Sequence, residues 1–199
     1  MGLASYRRHD DVMFPVELNG RRAGWREITV DDAEVVVGWQ SVPEIFTYIE
    51  SPEGTTLAGH RQLISGYVED GQRLDDRRDY SLALTVDGQL AGTGGIHLRD
   101  GDPSCAELGY LLHPDHWGKG IATEAAGLLL RFAFDTLRLH RVEALTRPDN
   151  LASRRVLEKI GMTREGLRRQ DVHLHGRWHD SLLFAILETD PVPAAPSSH

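Results

Sequence analysis

The chain has 199 residues, 40% of them hydrophobic and 26% charged, enough to bury one sizeable core and short for two. Its formal net charge of -8 disfavours a general nucleic-acid binder, which needs clustered Lys and Arg, and suits a cationic substrate better, although plain solubility accounts for it equally. No apolar run approaches the roughly 20 residues of a membrane span, and the opening MGLASYRRHDD lacks the apolar centre of a signal peptide, so the expected location is the cytoplasm. Residues 1–21 are polar and aperiodic and form an N-terminal segment ahead of a first strand at 22–28. A helix is expected over 29–40, with Thr29 as N-cap, Asp31 and Asp32 at its positive start, and Ala33, Val36 and Val37 as its apolar stripe. A short helix at 43–49 and a longer one at 56–69 follow. Two β-rich runs, 79–86 and 89–98, meet at Asp87-Gly88, a dipeptide that favours a type I′ hairpin turn.

Next come a strand at 106–112, an apolar helix at 123–137, a strand at 141–146 and a helix at 151–160, with Gly161 where a left-handed cap residue is wanted. Residues 163–175 and 178–187 read as a hairpin turning at Gly176, and 190–199, ending in PVPAAPSSH, as a disordered tail. Strands alternating with helices, with hairpins at both ends, predict a mixed central sheet flanked by helices, of α/β or α+β class.

The segment running from Leu112 through His113-Pro114-Asp115-His116-Trp117-Gly118-Lys119-Gly120-Ile121-Ala122 to Thr123 lies between a strand and a helix. Its glycines let backbone approach a ligand, and successive N–H groups at a helix start suit phosphate oxygens. It is not a Walker loop, because no Gly precedes at the needed spacing and no Ser or Thr follows Lys119. A tight turn is the plain alternative.

The run Glu107-Leu108-Gly109-Tyr110-Leu111-Leu112-His113-Pro114, followed by Trp117-Gly118-Lys119-Gly120-Ile121-Ala122-Thr123-Glu124-Ala125, resembles the acetyl-CoA motif of GNAT acetyltransferases. It looks most like the branch of ribosomal-protein alanine acetyltransferases, RimJ and RimL. The segment Asn150-Leu151-Ala152-Ser153 through Gly161-Met162 is similar to the same branch, as is Glu165-Gly166-Leu167-Arg168 with Gly176 and Asp180. Trp117 stands where the general pattern begins with Gln or Arg, which removes a polar phosphate contact and leaves more to backbone amides.

The resemblance implies one GNAT-like domain over 22–189, acetyl-CoA as cosubstrate with no metal, and acetyl transfer to a primary amine. The preferred acceptor is a peptide or protein N-terminus, with a small-molecule amine or lysine, a succinyl donor, or a noncatalytic acyl-CoA-binding module as alternatives. No nucleic acid or membrane partner is expected, and the state is monomer or homodimer. The backbone of Leu111 and Leu112 would hold the pantetheine arm, and amides from Gly118 through Lys119, Gly120, Ile121 and Ala122 to Thr123 the pyrophosphate.

An amine attacks as the free base, yet at pH 7 only about a tenth of α-amines and fewer than about one lysine in a thousand are neutral. Glu107 is the candidate base, and its bland alternative is a surface or salt-bridged carboxylate. Ser153 is the candidate donor to the departing thiolate, with Asn150 orienting it or the pantetheine, although both also suit a capped helix start; Tyr110 is the other candidate donor. Trp39, Phe46, Tyr48 and His97 are candidate lining residues for the acceptor pocket. His173, His175, His179 and Asp180 lack a companion Cys or helical His pair and read as hairpin residues at the substrate cleft rather than metal ligands. Cys105 is alone, which excludes an intrachain disulfide, and it carries no motif for a covalent nucleophile.

Overall fold

In the computed structural model, which describes residues 15–49, 56–73 and 77–193, the strands join in one sheet. They are β1 (Glu17–Asn19), β2 (Ala23–Glu27), β3 (Asp79–Val86), β4 (Gln89–Arg99), β5 (Asp102–Leu112), β6 (Arg141–Thr146), β7 (Thr163–Leu174) and β8 (Arg177–Leu187). Among the described residues the sheet has eight strands in the order β1-β2-β3-β4-β5-β6-β8-β7. Every neighbouring pair is antiparallel except β5 and β6, which a helical crossover makes parallel. The helices are α1 (Ala33–Gly38), α2 (Leu57–Gly71), α3 (Ile121–Arg131) and α4 (Leu151–Lys159).

Alternation along the strands sorts the two faces. Leu82 and Leu84 of β3, Ile96 of β4, Leu108 and Leu112 of β5 and Phe184 of β8 bury against α3 and α4 in the main core. Ala83 of β3 and Ile28 bury with Ala33 of α1 and Ile64 of α2 in a smaller cluster on the opposite face. Trp25 of β2 fixes the first face: it is 1% exposed, and its indole N–H donates to the Ala125 carbonyl at 2.9 Å.

Several boundaries differ from expectation for local reasons. The helix expected over 29–40 is a 3-10 turn, the short α1 and a second 3-10 turn. Its start is held through Asp32, whose carboxylate accepts from the Thr29 N–H at 2.8 Å and hydroxyl at 3.0 Å while pairing with Arg26. The segment at 43–49 forms only a 3-10 turn, Pro43–Thr47. Strand β5 begins at Asp102 rather than 106, immediately after the turn at Asp100-Gly101. Helix α3 begins at Ile121, two residues early, and its last turns widen into a π-type segment, Phe132–Thr136.

At Asp87 and Gly88, φ is 50° and 77°, as the expected hairpin turn requires. Strand β1 falls inside the segment read as aperiodic, because three residues are too few to display alternation; Val16 beside it is buried, and its N–H donates to Glu27. Residues 1–14 of that segment lie outside the described residues. Of the expected tail, Val192 packs against the core and Pro191 and Pro193 lie beside Gly161, while 194–199 lie outside the described residues.

Candidate active site

Strands β5 and β6 pair only from Cys105–Arg141 to Glu107–Glu143. Beyond Glu107 the strands part, and a cleft of about 600 Å³ opens between the end of β5, the start of α3 and the start of α4. Successive residues of a strand turn their polar backbone groups to opposite neighbours. His113 N–H donates to Ala91 on the β4 side, and Ser104 O accepts from His140 N–H on the β6 side. Residues 109, 111 and 113 therefore address β4, while 108, 110 and 112 address the gap. This corrects the expectation for Leu111: its backbone is taken up by β4, and its contribution to the cleft is its side chain. The backbone of Tyr110 faces the gap in its place. Leu112 does face the gap, but its carbonyl accepts from the Trp117 indole N–H at 2.7 Å, leaving its N–H. Trp117 thus ties the loop to the strand end.

In the loop, Gly118 and Gly120 have φ of 71° and 78°, a left-handed conformation natural to glycine. A Cβ at Gly118 would meet nothing within 4 Å, and one at Gly120 would meet only the Arg22 guanidinium, at 3.2 Å. The first intrahelical bond at the start of α3 runs from Glu124 N–H to Gly120 O, so the preceding amides are the open donors of the helix end. Arg155 and Lys159 of α4 line the cleft, and Arg22 adds a cation beside Gly120. Glu124 holds Arg22 there, accepting from its backbone N–H at 2.8 Å and pairing with its guanidinium at 3.6 Å. Exposed backbone donors, room above two glycines and three cations fit a pyrophosphate and phosphate group. The Lys119 side chain takes a different direction from its backbone amide. Its ammonium donates to Asp115 O at 2.7 Å and braces the loop, and it is not part of the cleft wall.

Tyr110 and Ser153 meet in the cleft, the phenol hydroxyl donating to Ser153 Oγ at 3.4 Å. Burial pushes the Tyr110 pKa up to about 12, with Ser153 pulling weakly the other way. Asn150 caps α4: its Oδ1 accepts from the Ser153 N–H at 3.0 Å and so fixes where Ser153 stands. The segment around the Pro43–Thr47 turn roofs the cleft, with the Tyr48 hydroxyl donating to Asp149 O at 3.3 Å.

Glu107 is exposed on the other face of the sheet, outside this cleft; strand alternation separates it from Tyr110 and Ser153. It stands opposite His97 on β4 and Glu143 on β6. A second cavity of about 370 Å³ lies on this face between α1, α2 and the sheet, and Trp39, Phe46 and His97 line it; Tyr48 belongs to the first cleft instead. Leu111, Ile45 and Ile49 line both cavities and form the wall between them. His97 Nδ1 lies 2.8 Å from Asp79 Oδ2. The periodicity of β3 and β4 contained this pair, but only the hairpin register brings Asp79 opposite His97. In the C-terminal hairpin, His173 stacks edge-on against Trp178, His175 Nε2 lies 2.9 Å from Phe46 O, and Asp180 accepts from Gln170 N–H. Among the described residues no His, Cys, Asp or Glu group is arranged to hold a metal ion.

A mixed sheet that parts between two parallel strands, with a glycine-bearing helix start and three cations beside the opening, fits a protein that binds a phosphate-bearing cosubstrate. The chain belongs to the GNAT acetyltransferase family: the family model for the acetyltransferase (GNAT) domain matches residues 22–163. It is 38% identical over 178 residues to a probable N-acetyltransferase, YjcK, of Bacillus subtilis (strain 168), covering 87% of this chain and 98% of that protein. It is also 34% identical over 122 residues to a putative ribosomal N-acetyltransferase, YdaF, of the same organism, covering 58% of this chain and 67% of that protein. Mycobacterium smegmatis RimJ, solved in complex with CoA-disulfide, superposes with a TM-score of 0.75 at 27% identity, covering 87% of this chain and 88% of that one. The chain is thus an N-acetyltransferase that uses acetyl-CoA. No helix among the described residues is long and apolar enough to cross a membrane.

Proposed function

We propose that this N-acetyltransferase acts on a primary amine that enters the 370 Å³ cavity, with a peptide or protein N-terminal α-amine as the preferred acceptor. The observation that carries the reading is the wall shared by the two cavities: the first cleft lies on one face of the sheet, the second cavity on the other, and Leu111, Ile45 and Ile49 line both. Acetyl-CoA, when bound, supplies an acetyl group activated as a thioester. The amides from Gly118 to Thr123 hold its phosphates, with Arg22, Arg155 and Lys159 as counter-charges, and the gap-facing backbone of Tyr110 and Leu112 N–H holds the amide-bearing arm.

Glu107 serves the acceptor side as a base for the ammonium, reaching it directly or through water. Tyr110, with Ser153 beside it, serves the opposite side by donating a proton to the departing thiolate, and Asn150 positions Ser153. The α-amine preference follows from its pKa of about 7.7 to 8.0 against about 10.4 for lysine, which leaves less for the base to do. The name carried by the YdaF relative, a putative ribosomal acetyltransferase, agrees in direction.

Competition between unblocked peptides, Nα-blocked lysine peptides and polyamines, with mass spectrometry of the products, tests the preference. The expected product is N-terminally acetylated peptide. Exclusive labelling of lysine or polyamine refutes it.

A further inference from the structure

Asp79, His97 and Glu107 are register partners on β3, β4 and β5, so their side chains form one row on the face that carries the second cavity. Asp79 Oδ2 lies 2.8 Å from His97 Nδ1, and Asp79 Oδ1 accepts from the Ser81 hydroxyl at 2.5 Å. The other ring nitrogen of His97, Nε2, carries no hydrogen bond among the described residues. His97 lines the cavity, whose walls include the buried Trp39, Ile45 and Ile64. A carboxylate that orients an imidazole by one nitrogen leaves the other to exchange protons, whatever the fold around it.

We propose that His97, oriented by Asp79, is the group that accepts the proton of the acceptor ammonium, with Glu107 beside it supplying negative charge. The inference rests on the reading of the second cavity as the acceptor site, and it revises that reading's choice of base. A glutamate near pH 4.3 faces an α-ammonium near 7.7 to 8.0, so the transfer is uphill by about 3.5 units, more than about a thousandfold. An imidazole, starting near 6.5, closes most of that gap. The hydrogen bond to Asp79 raises His97 further; burial opposes this, and the charges of Asp79 and Glu107 reinforce it. Asp79 stays ionised: burial pushes its carboxyl up, but the hydrogen bonds from His97 and Ser81 outweigh this and hold it below the usual range. From α2, Tyr67 and His60 also line the cavity, and burial together with Asp79 keeps the Tyr67 phenol protonated.

The proton balance is simple. The ammonium gives one proton to His97 Nε2 and becomes the nucleophile. As its nitrogen–carbon bond forms and the carbon–sulfur bond breaks, the nitrogen sheds a second proton, matching the one the thiolate takes up. His97 then returns its proton to water.

The test is a histidine NMR titration of the full chain together with the pH dependence of kcat/KM for a peptide α-amine. His97 should titrate above 6.5, and the acid limb of kcat/KM, lost as the imidazole protonates, should fall at the same pH. Asp79→Asn should move both to lower pH, a displacement that a merely structural role for Asp79 would not produce. His97→Gln should lower kcat by about 100-fold and leave acetyl-CoA affinity within about twofold by calorimetry. If His97→Gln fails to bind acetyl-CoA, Asp79→Asn decides, since it leaves the ring in place. A His97 that titrates at or below 6.5, an acid limb unmoved by Asp79→Asn, or full turnover in His97→Gln overturns the inference alone. A wild-type enzyme that acetylates no peptide amine overturns the acceptor reading and this inference with it.

Discussion

Tyr110 shows how one residue can serve the site in two ways. Its backbone faces the gap because residue 110 has the parity that β4 does not use, and its side chain turns into the larger cleft, where it meets Ser153. A phenol raised to about 12 by burial stays protonated throughout the neutral range, so its O–H remains available as a hydrogen-bond donor to negative charge developing on a departing sulfur. Tyr110→Phe should lower kcat by about 10- to 100-fold while acetyl-CoA affinity stays within about twofold, measured by thiol release and calorimetry. Ser153→Ala should cost less. The reverse ranking would make Ser153 the direct donor.

Among elements, the loop from Trp117 to Gly120 carries the clearest division of labour. Trp117 anchors it to the strand end through Leu112, Lys119 braces it through Asp115, and Gly118 and Gly120 leave the space above it open. Gly120→Glu introduces about 1 to 2 kcal/mol of left-handed strain and places a carboxylate where phosphate belongs. Calorimetry should find no acetyl-CoA binding in that variant, with its secondary structure intact by circular dichroism. Trp117→Phe removes one N–H and leaves Leu112 O without its partner. A loss of about 1 kcal/mol, roughly a fivefold weaker Kd, is the expected result.

At the scale of the whole molecule, the parting of β5 and β6 must be stabilised from outside the gap, and Glu143 stands at the last paired position. It pairs with Arg99 of β4 and Arg141 of its own strand and lies 3.9 Å from Arg168 of β7, while Arg141 also pairs with Glu165. Burial pushes the Glu143 carboxyl up, but the arginines outweigh this and hold it below the ordinary glutamate range. A depressed folded-state pKa contributes stability that is present above the unfolded value, about 4.3, and is lost as pH falls through the lower folded value. The Glu143 contribution to the Tm should therefore hold steady above about pH 5 and fall in more acid solution, whereas that of His97, whose pKa is raised, is lost as pH rises through its folded value. Glu143→Gln should lower stability at pH 7 by about 2 kcal/mol and flatten part of the acid decline, both readable by thermal unfolding across pH.

Composition, periodicity and motif spacing were enough to specify the mixed sheet, the hairpin turn at Asp87-Gly88, strand β6 and the glycine loop that opens α3, because these are written in neighbouring residues. Asn150 as a cap and Ser153 in the first turn of α4 were legible for the same reason. The sequence could not show which backbone groups of β5 face the gap. That depends on which residues β4 takes up, and it turns the backbone of Tyr110, rather than that of Leu111, toward the gap. Nor could it show that Glu107 and Ser153 stand on opposite faces of the sheet, that the Lys119 ammonium turns back to Asp115, or that Asp79 reaches His97. Each of these depends on register and strand neighbours, long-range pairings that a linear pattern does not encode and that only packing the sheet between its helices decides.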